Sequence, residues 1–264
     1  MHPRETITSR AHPLLKRLRA LLADSARSGV AVLEGGKLVE EALAAGVVVS
    51  ECAVAADTAD GRHDGLVARL AASGTTVRIV APDVLAALSE ARTSQGILAI
   101  APRPAFREDA LFTGVPLIVV GVAIQNPGNL GALLRAAEAS GATGAYLTPE
   151  SADPMSWKAL RGSMGSAFRL PHVTGIAVDA VLDRLAARGV VTMATVASGG
   201  ERYDRVDLSG PIAVLFGNEG AGLSDDLAAR ADRRIAIPMA APVESLNVSV
   251  AAGVLLFEAR RQRG

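Results

Sequence analysis

The sequence holds a single cysteine, Cys52, in 264 residues, which excludes an internal disulfide and any metal site built from several thiolates. On its own it reads as a small apolar core residue of a reducing compartment. Aromatics are scarce, at 3%, so the core has to be assembled from Ala, Val, Leu and Ile. An excess of one charge is also missing. Lys and Arg number 27, Asp and Glu 27, so no global basic field announces a nucleic-acid partner. The longest apolar run, around 115–124, falls well short of the roughly 18 residues needed to span a bilayer. Met1-His2-Pro3-Arg4 opens without a hydrophobic stretch of the secretory kind, so a cytoplasmic protein with no membrane partner is expected. The four histidines (His2, His12, His63, His172) lack metal-ligand spacing and read as structural or surface residues; no metal is expected. No G-x-G-x-x-G, P-loop or G-x-S-x-G motif is present, which removes the ordinary dinucleotide, nucleotide and serine-hydrolase sites.

What is present is a strongly hydrophobic chain, 50% by composition, long enough for two domains. Leu14, Leu15, Leu18, Leu21 and Leu22 recur at helical spacing and open the first of them. A strand at 30–33, a helix through Leu38–Leu43 closed by Gly46, strands at 47–54, 76–80 and 96–101, and helices at 63–73 and after Pro82-Asp83 complete a small α/β unit. Its clearest basic stretch is Arg4, Arg10, Lys16, Arg17 and Arg19, which suits either a solvated helix face or a local RNA contact. Pro102-Arg103-Pro104 then stiffens the chain and marks a boundary, giving domains at 1–103 and 114–264 with a linker at 104–113.

Beyond the linker the alternation is regular. Strands are expected at 116–123, 144–148, 190–196, 211–216 and 234–237, and helices at 129–140, 154–166, 178–188, 224–230 and 246–261. Such a pattern implies a parallel sheet with helices on both faces. Open sheets of this class bind ligands at the carboxyl ends of their strands. Here those ends carry Gln125-Asn126-Pro127-Gly128-Asn129, Gly217-Asn218-Glu219-Gly220 and Pro238-Met239.

Three constellations follow. In the first, Leu130, Leu133, Leu134 and Ala137 form a buried stripe, leaving Asn129 and Arg135 to face a ligand, with Gly131 allowing close approach; alternatively Asn126 or Asn129 caps the helix and Arg135 pairs with Glu138. In the second, Phe216 to Ser224, three glycines in six residues demand a sharp turn or a close contact. Ser224 can cap the next helix, but Glu219 has no packing role there and suits a ligand hydroxyl or ammonium. The third runs from Ile237-Pro238-Met239 to Glu244-Ser245-Leu246-Asn247-Val248-Ser249. Ser245 is a good N-cap with Asn247 in the first turn, and the helix beyond is apolar on nearly every side, as if buried between its own sheet and a partner subunit.

Together the three blocks resemble the SpoU/TrmH branch of the SPOUT methyltransferases over about 114–264. The resemblance implies a parallel α/β sheet whose C-terminal part is threaded into a trefoil knot, one of the recognised exceptions to unknotted chains. It implies a homodimer with S-adenosylmethionine held in the knot near the subunit interface. Backbone groups around Gly217, Ile237 and Leu246 would hold that cofactor, with Phe216, Asn218, Gly220, Pro238, Met239 and Thr195 beside them. Asn129, Arg135, Glu219, Ser245 and Asn247 match the polar residues that the family places around the ribose and the methyl donor. The family often assigns Arg135's position the role of general base. Arginine as a residue type stays protonated, so the reading here is a clamp on a phosphate that electrostatically favours a ribose alkoxide.

The first hundred residues resemble the small RNA-binding domain shared with kink-turn-binding ribosomal proteins. The match rests on His12-Pro13-Leu14 with Lys16-Arg17-Leu18, on Glu34-Gly35 with Lys37-Leu38-Val39-Glu40-Glu41-Ala42, and on Ser94-Gln95-Gly96-Ile97. That domain favours ribosomal RNA, 23S rRNA first, over transfer RNA; the even charge balance departs from the usual RNA binder. The function expected is 2′-O-methylation of an RNA ribose. The alternatives are a tRNA ribose methyltransferase, a non-catalytic RNA-binding ribosome-assembly protein, and a base-nitrogen methyltransferase of the same superfamily. The intact polar set argues against the second, and the pairing of Asn129…Arg135 with Ser245…Asn247 against the third.

Overall fold

The computed structural model of the chain describes residues 6–23, 28–58, 61, 63–89 and 94–264. It divides into two compact units, one of Met1–Pro104 with Met155–Phe168, the other of Ala105–Pro154 with Arg169–Gly264.

In the first unit, α1 (Pro13–Ala23) turns Leu14, Leu15, Leu18 and Leu21 into the core, as their spacing requires. There follow β1 (Val30–Glu34), α2 (Gly36–Ala44), β2 (Glu51–Ala55), α3 (Asp64–Ala72), β3 (Thr76–Val80), α4 (Pro82–Ala86) and β4 (Ile97–Pro102). The sheet order is β1-β4-β2-β3, with β4 antiparallel to β1 and β2, and β2 parallel to β3. Val32, Ala53, Leu98 and Ile100 meet α1 and α4 on one face. Gly46, at φ 76, follows the C-cap of α2 and closes it in the left-handed conformation that glycine adopts without strain. Strand β2 starts at Glu51 rather than at 47, and Val48 before it is exposed. Cys52 is fully buried, and burial pushes its thiol up to about 12. Arg10, Lys16, Arg17 and Arg19 are exposed, and Arg17 pairs with Glu51; Arg4 lies outside the described residues.

The second unit contains β5 (Leu117–Gly121), α5 (Pro127–Ser140) and β6 (Gly144–Leu147); the chain then passes through α6 (Trp157–Ser163) and α7 (Ser166–Arg169), which count to the first unit except for Arg169. It continues with β7 (His172–Thr174), α8 (Val178–Ala186), β8 (Val191–Thr195), β9 (Glu201–Arg202), β10 (Ile212–Phe216), α9 (Asp225–Arg230), β11 (Arg233–Ala236) and α10 (Val248–Arg263). The order is β7-β6-β5-β10-β8-β11-β9, and every neighbouring pair is parallel. All five residues of both β5 and β10 are buried, as expected of central strands covered on two faces. One face packs Ile118, Val120, Tyr146 and Leu215 against Val181, Leu182 and Leu185 of α8 and Leu227 of α9. On the other lies α5, whose Leu133 approaches Gly121. Helix α10 runs parallel to α5, bonded to it from Asn247 to Asn129 at the start and from Arg260 to the Ala139 carbonyl at the end.

Several expectations are corrected. The helix expected at 154–166 is two short ones, because Met164 and Gly165 take positive φ between them. Strands β7 and β9, three and two residues long, carry too little pattern to be read as strands. The stretch expected as a linker, 104–113, is fastened to the second unit. Glu108 accepts from Tyr146 at 2.5 Å and Arg184 at 2.7 Å, Asp109 pairs with Arg188 at 2.9 Å, and the Phe106 ring lies 4.9 Å from that of His172.

Within the first unit, Trp157 of α6 donates its indole N–H to the buried Glu34 of β1 at 2.5 Å, and Ser89 donates to the other carboxylate oxygen. Two donors make that buried carboxylate tolerable.

Candidate active site

Because the sheet is parallel, β5, β10, β8 and β11 deliver their carboxyl ends to one edge, and the loops leaving them build a cleft of about 280 Å³. The loop after β10 forms its wall from Phe216 through Leu223. Thr195, Val196 and Ala197 come from the end of β8, and Ile235, Ile237 and Met239 from β11 and beyond. Glu244, Ser245, Leu246, Val248, Ala251 and Leu255 close it from α10 and its approach.

The loop after β10 is held by its own backbone. A Cβ on Gly217 would stand 2.2 Å from the Gly222 carbonyl carbon and 2.3 Å from the Leu223 nitrogen, so this glycine serves the loop's closure upon itself. Asn218 donates to the Ala123 carbonyl at 3.0 Å and accepts from Gly220 and Ala221 at 2.8 and 3.3 Å, which fixes the loop to the end of β5. Ser224 then caps α9 through the Leu227 amide.

Three motifs far apart in sequence meet in one hydrogen-bond relay. Asn126 caps α5, accepting from the amides of Gly128 and Asn129 at 2.8 and 3.2 Å. This places Asn129 so that its amide nitrogen donates to Glu219 Oε1 at 3.0 Å while its oxygen accepts from Asn247 at 3.0 Å. The Asn126 backbone amide also donates to Glu219 Oε1, at 3.2 Å. Burial pushes the Glu219 carboxyl up, but the hydrogen bonds from Asn129 and from nearby backbone amides outweigh it and hold the group below its ordinary value. Glu219 is therefore a carboxylate at neutral pH. Both ends of the Asn129 amide are occupied, so Asn129 orients its neighbours.

Asn247, rather than Ser245, caps α10; its oxygen accepts from the amide and hydroxyl of Ser249 at 2.9 and 2.6 Å. Ser245 and Leu246 lie ahead of the helix, on its approach, where they line the cleft. Glu138 pairs with Arg169 at 2.6 Å instead of with Arg135. Arg135 is exposed and has no hydrogen bond or ion pair with a described residue. Gly131 is buried with the packed side of α5, so it offers no backbone to a ligand.

Of the residues expected at a cofactor, Thr195, Phe216, Gly217, Asn218, Gly220, Ile237, Met239 and Leu246 line the cleft, whereas Pro238 is exposed and does not. The Thr195 hydroxyl is spent on the Leu215 carbonyl at 2.8 Å. Glu219 and Ser245 line the cleft as well; Asn129 and Asn247 stand beside it through the relay. Sequence reasoning missed Val196, Ala197, Glu244 and the apolar floor of Ile235, Val248 and Leu255. The floor could have been found from the buried face of β11 and α10; Glu244 belongs to the third block, but nothing in the pattern marks it as a residue of the cleft. Among the described residues no group of His, Cys, Asp and Glu could hold a metal, and no helix is long and apolar enough to cross a membrane.

Residues 116–257 match the SpoU rRNA Methylase family, and residues 32–106 match the RNA 2′-O ribose methyltransferase substrate-binding family. The chain is 33% identical over 229 residues to the 23S rRNA (guanosine(2553)-2′-O)-methyltransferase RlmP of Bacillus subtilis, covering 87% of this chain and 88% of that one. It resembles the AdoMet-bound rRNA methyltransferase from Sinorhizobium meliloti, with TM-score 0.82, 32% identity and 97% of each chain covered. It resembles equally the SpoU methyltransferase AviRb from Streptomyces viridochromogenes in complex with AdoMet, with TM-score 0.84, 29% identity, and 96% and 98% of the chains covered.

Proposed function

The chain belongs to the SpoU rRNA methylase family, and on that premise we propose that it transfers the methyl group of S-adenosylmethionine to a ribose 2′-hydroxyl of RNA, with 23S rRNA the favoured substrate. The observation that carries this reading is the Asn247–Asn129–Glu219 relay standing at the wall of the cleft.

The cleft suits the cofactor by its chemistry. Ile235, Ile237, Met239, Leu246 and Leu255 offer aliphatic surfaces to an adenine, and the acidic side chains of Glu219 and Glu244 suit a cationic ligand. When bound, the cofactor supplies a methyl carbon already activated by its sulfonium. The protein's own task is alignment and a more nucleophilic hydroxyl. Asn129 and Asn247 hold Glu219 and the start of α10 in fixed register, with Ser245 on the cleft wall beside them. Arg135, cationic and free of described partners, clamps the phosphate next to the target ribose and favours its alkoxide. Single-turnover rates of Arg135→Lys and Arg135→Ala across pH test that role; a limb of the profile that belongs to the arginine would refute the clamp.

The first unit, which holds nearly all of the 32–106 stretch that matches a substrate-binding family, takes the RNA. A second copy of the chain covers the exposed Val250 and Phe257 of α10, giving a homodimer, and the C-terminal strands are threaded as a trefoil knot. The protein acts in the cytoplasm on ribosomal RNA. Mapping of 2′-O-methylation across rRNA and tRNA, with and without the protein, is the decisive experiment. One rRNA ribose should lose its methyl group when the protein is absent; unchanged methylation everywhere, with no S-adenosylmethionine bound, would overturn the reading.

A further inference from the structure

The cleft contains two carboxylates, Glu219 and Glu244, and no Lys, Arg or His among its lining residues. The two acids differ in how they are held. Glu219 is tied by Asn129 and the Asn126 amide. Glu244 sits exposed on the approach to α10, with no hydrogen bond or ion pair to any described residue. The floor under both is apolar, built by Ile235, Val248 and Leu255. A ligand lying there puts its least polar part on the floor and its most strongly hydrated part at the rim, where water remains.

We propose that Glu244 is a cofactor-binding residue that pairs with the α-ammonium of the methionine portion of S-adenosylmethionine at the rim of the cleft. The inference rests on the cofactor reading above. Ammonium is the fitting partner because the zwitterionic tail is the most hydrated part of the cofactor, and Glu244 is the acid at the wet rim without a partner. Being at the rim, the pair is screened by salt and modest in strength.

Direct binding by titration calorimetry tests it without recourse to turnover, with wild type and Glu244→Gln against three ligands. S-adenosylmethionine carries both the sulfonium and the ammonium, S-adenosylhomocysteine only the ammonium, and 5′-methylthioadenosine neither. The expected result is a loss of about two- to five-fold for the first two ligands alike, shrinking at high salt, with methylthioadenosine unchanged. A loss confined to S-adenosylmethionine would assign Glu244 to the sulfonium and overturn the proposal. An equal loss for all three would make it a structural residue and overturn it as well, as would no loss at all. Failure of the wild type to bind any of the three is the separate outcome that sinks the cofactor reading itself.

Discussion

The loop after β10 and the approach to α10 face each other across one cleft and are built in opposite ways. In the first, nearly every polar group is committed within the protein: Asn218 to Ala123, Gly220 and Ala221, Glu219 to Asn126 and Asn129, Ser224 to Leu227. In the second, residues 237–246 make no side-chain hydrogen bond with a described residue, and 240–246 are all exposed. One wall is preformed and costs nothing to organise on binding. The other gains its contacts only when a ligand or partner arrives.

The sharpest way to break this contrast is to give the preformed wall a side chain it has no room for. Gly217→Ala would place Cβ within 2.3 Å of Gly222 and Leu223 backbone atoms. The clash is with main chain and cannot be relieved by a rotamer. We expect a cost of about 2–3 kcal/mol, a fall in Tm of roughly 5–10 °C, and cofactor affinity lost with it. Gly220→Ala is the control, meeting only Asn218 Oδ1 at 3.5 Å, and should leave Tm within about 2 °C. Equal effects at the two positions, in thermal melts and titrations, would mean the loop is not self-braced.

Asn218→Ala removes the brace and leaves the shape. Three hydrogen bonds go, and the carbonyl of Ala123, a residue itself held at φ 52, loses its donor. The expected loss in S-adenosylmethionine affinity is about ten-fold, with a smaller drop in Tm than for Gly217→Ala. Comparable affinity in the variant would show that the loop's order comes from its glycine packing alone.

The same contrast explains what could be read in the sequence. Strands β5 and β10 were legible because both faces are covered and their residues are uniformly apolar, and α5 because Leu130, Leu133, Leu134 and Ala137 fall on one stripe. The glycines of 217–222 signalled a close approach correctly, but what approaches Gly217 is the loop's own backbone. Register along α10 was two residues off, since serine and asparagine cap helices about equally well and only the packing of Val248 decides where the first turn sits. The meeting of Asn129, Glu219 and Asn247 joins residues 90 and 118 positions apart, and no local pattern encodes it. Glu244 stands in the third block, yet its role is not legible there: an acid in an exposed loop looks like solvation until a cleft is seen beneath it.

Asn129→Ala separates the two ends of the relay and can be followed through pH. With Asn129 present, Glu219 titrates below its ordinary value, so the carboxylate is present at and above that value and is lost only as pH falls through its lowered pKa. Without the Asn129 donor, one of the bonds holding it down disappears, and the pH at which the carboxylate is lost must move up. The acid limb of S-adenosylmethionine binding or of the single-turnover rate should shift upward in the variant, with little change near neutrality in binding. An acid limb at the same pH in both proteins would detach Glu219 from the event being measured.

The smallest effect is expected from the open wall, and there the condition of measurement matters most. Leu246 is 37% exposed and lines the cleft, so in the ligand-free protein its side chain is only partly covered and its truncation costs less than that of a fully buried leucine. Leu246→Ala should lower the Tm of the free protein by about 2–4 °C. Once S-adenosylmethionine is saturating, the side chain is covered on its exposed side, and its loss then costs apolar contact with the ligand. The ligand-induced rise in Tm should therefore be smaller in the variant than in wild type, over and above the modest difference between the free proteins. If the free variant were already strongly destabilised, the approach to α10 would be as preformed as the loop opposite, and the difference between the two walls would vanish.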